Sequence, residues 1–110
     1  MTNEAAIEKE IQDKGLNAQR LTPDFIDAQI AGEYFAHGPS LFNGAPVLDG
    51  LKCLTICVLV MKNGFTIVGK SACASPENFD AELGRKIARE DARKQIWALE
   101  GYALRNKLAA

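Results

Sequence analysis

Arg85, Arg89 and Arg93 recur at steps of four, with Lys86 beside the first. On a helix, steps of four stack side chains along one face. Three guanidinium forks in a row suit phosphates or a carboxylate-rich partner. The same stretch also has a blander reading. Glu82 stands three and four residues before Arg85 and Lys86, and Glu90 stands likewise before Arg93 and Lys94. That spacing belongs to a solvated face laced with ion pairs. Arg85, Arg89, Arg93 and Lys86 are the candidate binding residues. Asp91 is the second feature of interest. At ~100° per residue it projects between Ile87 and Ala88, near the middle of an apolar arc. A carboxylate there is either solvated, if the arc has already ended, or held by loop backbone or a basic side chain.

The rest of the chemical inventory is short. One histidine, His37, excludes a His-rich metal site. Cys53 and Cys57 have no second pair at zinc-finger spacing, so no metal or cofactor is expected. A Cys-His nucleophile built from His37 competes with plain burial of strand cysteines, and burial is the ordinary fate of free Cys. Asn63-Gly64-Phe65 lacks the glycine spacing and the Lys-Ser/Thr of a phosphate loop. No catalytic residues are assigned, and a non-enzymatic protein is expected. Cys53 and Cys57 are four apart on one strand, ~13 Å at strand rise, which is too far to bridge. Three unpaired thiols fit a reducing compartment, so a cytosolic protein is expected.

The chain has 110 residues, of which 47% are hydrophobic and 25% charged, which predicts one ordinary globular domain over residues 1–110. Residues 1–50 carry three basic and eight acidic side chains, net −5; residues 51–110 carry ten and six, net +4. Either acidic N-terminal helices lie near a basic C-terminal one, or a basic face is kept for a partner. The longest apolar run, Cys53 to Met61, is far short of the ~20 residues of a membrane helix. Met1 to Glu10 has no apolar signal core. Duplex DNA is disfavoured as a partner, because no recognition-helix motif precedes the arginines and the first half is acidic.

The element that must position these groups is Leu54 to Ala72, two β-rich runs joined by Asn63-Gly64. Asn-Gly between apolar runs signals a two-residue type I′ hairpin. That turn sets Val60 against Ile67, Val58 against Gly69 and Ile56 against Ser71. One face then holds Leu54, Ile56, Val58, Val60, Phe65 and Ile67, and the other Cys53, Cys57, Leu59, Met61 and Val68. Both faces are apolar, so both require cover. A two-stranded hairpin is marginal alone and needs a third strand, helices or a second subunit. Helices are expected over Asn3–Lys14, capped by Thr2 or Asn3 and closed by Gly15, and from Thr22-Pro23 to about Phe35. His37 to Gly50 reads as a loop, with a short edge strand at Val47-Leu48. Ser75-Pro76 opens a long helix to about Asn106, with a break or kink at Gly101. Phe79, Leu83 and Ile87 are expected to pack on Val58, Val60 and Ile67. Gly84 and Ala88 approach the sheet closely, with Gly69 as the matching hollow. The expected fold is α+β: a small hairpin-centred sheet against a long C-terminal helix, with two short N-terminal helices.

Cys57-Val58, the Asn63-Gly64-Phe65 turn, Gly69, Ser71-Ala72-Cys73, Pro76, Asn78-Phe79-Asp80, Gly84, and Trp97 with Gly101-Tyr102 resemble a family of small uncharacterised proteins encoded by tailed bacteriophages and prophages. Lys14-Gly15-Leu16 and Arg20 with Thr22-Pro23 resemble the front of some members. The resemblance implies a phage-encoded accessory protein in the host bacterial cytoplasm. It brings no catalytic residues. Two functions are then in play. One is non-catalytic binding of a host or phage protein, as a homo-oligomer whose copies cover Leu59, Met61 and Val68 or extend the sheet through an edge strand. The other is binding of a small phosphate-bearing ligand, such as a nucleotide signal of host defence, through the arginines with Tyr34, Trp97 and Tyr102 as stacking surfaces.

Overall fold

The computed structural model describes residues 3–110. Thr2, one of the two expected caps, lies outside them, and the Asn3 side chain caps nothing. Helix α1 spans Glu4–Asp13 and ends at Gly15, whose φ of +66° suits a residue without Cβ. Helix α2 spans Pro23–Ala28, with Thr22 Oγ1 accepting the Phe25 N–H. The helix stops there instead of running to Phe35. Ile30–His37 forms strand β1. Gly32 is a poor helix former, while Tyr34 and Phe35 favour a pleated surface. Joining the sheet also gives the hairpin the third strand it needs.

After β1 come a single 3-10 turn at Gly38–Ser40 and a four-residue helix α3, Asp49–Lys52. Val47 and Leu48 are exposed loop residues leading into α3, not an edge strand. Strands β2, Leu54–Met61, and β3, Thr66–Ala72, complete an antiparallel meander in the order β1-β2-β3.

The hairpin turn differs from the two-residue expectation. A type I′ turn needs positive φ at both central residues. Only Gly64 has it, at +88°. Gly64 N–H donates to Met61 O, and Met61 N–H donates to Phe65 O, each at 2.8 Å. The loop is therefore three residues, closed by a left-handed glycine, and Asn63 Oδ1 accepts the Phe65 N–H. Register moves by one residue, so Leu59, not Val60, faces Ile67, and Val58 faces Val68. A one-residue slip exchanges the faces of one strand relative to the other. The inner rows run Glu33–Leu59–Ile67, Phe35–Cys57–Gly69 and His37–Thr55–Ser71. The outer rows run Gly32–Val60–Thr66, Tyr34–Val58–Val68 and Ala36–Ile56–Lys70.

Helix α4, Ala81–Ala109, crosses the inner face. Its cap is Asp80, whose Oδ1 accepts the Leu83 N–H, while Pro76–Asn78 is a separate 3-10 turn. The helix runs through Gly101 without a break. Its buried residues are Gly84, Ala88, Ala92, Arg93 and Ile96. Leu83 and Ile87 are half exposed, which corrects the expected packing of Phe79, Leu83 and Ile87 on Val58 and Val60. The reason is steric. A Cβ on Gly69 would lie 2.3 Å from Ala88 O and 2.3 Å from Ala92 N, so helix backbone rests directly on strand backbone. Only the small-residue stripe Gly84, Ala88, Ala92 allows that approach. Ile26 of α2 joins Cys57, Leu59, Met61, Ile67 and Ile96 in the core, with Leu21, Ile30 and Trp97 packed around it.

Candidate functional site

The candidate arginines share a helix but not an environment. Arg93 is turned into the protein, its side chain 7% exposed. Its two Nη atoms take both oxygens of Glu4 at 2.6 and 2.8 Å, and its Nε takes Asp27 Oδ1 at 2.7 Å. Nη2 also donates to the Pro23 carbonyl. A bidentate fork of this kind is the strong form of an ion pair. Glu4 foremost, and then Asp27, push the Arg93 guanidinium further above its ordinary value, while desolvation opposes them. The same contact holds Glu4 below the usual carboxylate range. Trp97 Nε1–H donates to Glu4 Oε2 at 3.2 Å, so one carboxylate ties α1 to two turns of α4.

Arg89 bonds Glu33 Oε2 through Nε at 2.9 Å and Nη2 at 2.8 Å, joining α4 to β1. The Glu33 bond raises the Arg89 value further, against desolvation. Lys86 is exposed and pairs with Glu82 along the helix. Arg85 is exposed and lines a cavity of about 130 Å³ with Phe35, His37, Thr55 and Phe79. The stripe thus divides into two internal ties, Arg89 and Arg93, and two solvent-facing cations, Arg85 and Lys86. Acidic N-terminal residues do lie against the basic helix, one of the two readings of the charge asymmetry.

Asp91 is held by backbone. Its Oδ2 accepts the Lys70 N–H at 2.9 Å and its Oδ1 pairs with Lys94 at 3.0 Å. The Lys70 amide first, then Lys94, lower the Asp91 carboxyl below its ordinary value. One turn on, Gln95 Nε2 donates to Val68 O at 2.8 Å. Asp91 and Gln95 therefore occupy outward-pointing backbone groups of edge strand β3, which blocks pairing there with another chain. His37 has a positional role as well. Its ring stacks on Phe79 with centroids 4.2 Å apart, and its Nε2 donates to Lys52 O at 2.7 Å.

Among the described residues no helix packs on the outer sheet face. Leu59 and Met61, expected to need cover from a second copy, lie under α4 at 0% and 6% exposure. Val68 points the other way, at 55%, and Tyr34 beside it is 62% exposed. Between them run Ile56, Val58 and Val60 of β2, each half-buried. Of the nine residues in the outer rows only Lys70 is charged, and it stands at a corner from which its ammonium reaches water. The alternation of β2 was visible in the sequence. Which of its two apolar faces the helix takes was not, because that depended on the turn.

Among the described residues no helix is long and apolar enough to cross a membrane. Searches of curated proteins and of solved structures find no match to the chain. A family model matches residues 21–108, all of the sheet and nearly all of α4. By that match the chain belongs to the phage protein family described as N4 Gp49/phage Sf6 gene 66.

Proposed function

We propose that this protein is a phage accessory factor that works by non-catalytic binding in the host cytoplasm, as a homo-oligomer whose copies meet through the outer sheet face. The observation that carries the reading is the uncovered row Tyr34–Val58–Val68 with Ile56 and Val60 beside it. Exposed contiguous apolar patches of this kind mark interaction surfaces. Two such faces can stack as sheets do, ~10 Å apart, with side chains of alternate rows interdigitating. The patch, three strands wide and five residues long, measures roughly 14 by 17 Å from strand spacing and rise. That is smaller than a standard specific interface, so the pair is reversible and concentration-dependent. The blocked β3 edge favours face-to-face contact over extension of the sheet at that strand. A host or phage protein then binds the assembled form. The internal pairing of Arg89 and Arg93 favours this reading over a phosphate-bearing ligand held by the helix.

The test uses tagged and untagged copies expressed together in infected cells. The untagged chain should co-purify with the tagged one. Val58→Glu on both should abolish this while leaving the far-ultraviolet spectrum unchanged. Co-purification that survives Val58→Glu would place the contact elsewhere.

A further inference from the structure

The hairpin register has a consequence for the cysteines. The ladder ends where Leu54 faces Ala72, and Cys53 and Cys73 are the residues immediately beyond that pair. Cys73 N–H donates to Cys53 O at 3.3 Å, the hydrogen bond expected of directly opposed residues. Cys73 Sγ lies 3.8 Å from the same carbonyl. Both thiols line one cavity of about 110 Å³ with Asn78, Leu83 and Ile87, which gives the sulfurs room to turn. Neither is tied to a metal-ligand set among the described residues.

We propose that Cys53 and Cys73 form a thiol pair that is this chain's site of oxidation by a small disulfide such as glutathione disulfide. Hydrogen-bonded antiparallel partners sit ~5.5 Å apart at Cα, inside the range a disulfide spans. Their Cβ atoms, at ~5 Å or more, lie beyond the ~3.8 Å that a relaxed bond prefers. Cys53 also sits in a helical rather than extended conformation, φ −87° and ψ −13°. The bond is therefore strained, and strained disulfides are the readily reduced ones.

Cys73 is half-buried and Cys53 buried, so the order of events follows. The Cys73 thiolate attacks one sulfur of glutathione disulfide. A Cys73–glutathione bond forms, the glutathione S–S bond breaks and one glutathione thiolate leaves. The Cys53 thiolate then attacks Cys73 Sγ, forming the Cys53–Cys73 bond and releasing the second glutathione thiolate. Two electrons pass to glutathione disulfide, and the two thiol protons go to solvent and the released thiolates. Burial raises the Cys53 thiol above its ordinary value, and the Cys73 thiol adds to that shift. The product staples the α3–β2 junction to the chain leaving β3 for α4. Cys57, 0% exposed beneath α4, is not involved.

The experiment incubates the full chain with mixtures of glutathione and glutathione disulfide, quenches with acid, alkylates after unfolding and maps the peptides. The expected product is one intramolecular Cys53–Cys73 disulfide, reversed by excess glutathione, with Cys57 alkylated throughout. Cys57→Ala should form the same bond, and Cys73→Ser should form none. Accumulation of glutathionylated Cys73 with no internal bond, or a disulfide that includes Cys57, would overturn the proposal.

Discussion

Gly69 of β3 and Ala92 of α4 meet backbone to backbone, and a Cβ on Gly69 would lie 2.3 Å from the Ala92 amide nitrogen. No side chain can move aside to relieve that overlap. The helix itself must lift, opening the layer between α4 and the sheet. Gly69→Ala should therefore destabilise the fold by about 3 kcal/mol, the upper part of the overpacking range. Gly50, where an added Cβ meets nothing within 4 Å, is the control. Urea unfolding should show a change within about 0.5 kcal/mol for Gly50→Ala.

The same close approach decides which face of α4 is inward. Ile96→Ala removes a side chain that is 0% exposed and should cost about 2–5 kcal/mol. Ile87→Ala, at 48% exposure, should cost under about 1 kcal/mol. Equal losses at the two positions would mean that the helix is rotated from the orientation described.

Much of this fold was legible in local chemistry. Thr22-Pro23 and Gly15 mark helix ends where cap and breaker residues place them. The long C-terminal helix is also legible, but it opens at Ala81 behind Asp80 rather than at Ser75-Pro76, and it runs unbroken through Gly101. Gly69 and Ala88 announced their contact through their size. Two departures reshape the sheet. Ile26, Ile30 and Tyr34 fit a helical period, yet tertiary pairing took Ile30–His37 into the sheet, because a strand's preference is set largely by its neighbours. Asn63-Gly64 correctly marked a hairpin, but loop lengths of two and three share that signal, and the difference of one residue inverts the faces. The arginine stripe was legible as a stripe. Its division was not, because Glu4, Asp27 and Glu33 are 56 to 89 residues away in sequence and reach it only through the fold.

Acid should loosen the N-terminal helix. Arg20 foremost, and then Gln12, hold the Glu8 carboxyl at about 2, and Arg93 holds Glu4 below the usual range. Carboxyls lowered in the folded state contribute stability that is complete above their unfolded value of ~4.3 and is lost as pH falls through the folded value. For Glu8 the window is therefore from about 4.3 down to about 2. Trp97, the single tryptophan, donates to Glu4 and reports on the docking of α1. Its fluorescence should be flat from neutral pH to about 5 and change below about 4.3. Glu4→Gln should show the changed signal already at neutral pH.

The outer sheet face carries the proposed assembly, and sedimentation velocity across a concentration series tests it directly. The wild-type chain should shift from a 12.0 kDa species toward twice that mass as concentration rises into the high micromolar range. Val58→Glu should remain at 12.0 kDa throughout with its unfolding midpoint little changed. A wild-type chain that stays at 12.0 kDa at every concentration, or a Val58→Glu variant that associates as the wild type does, would contradict the assignment of this face.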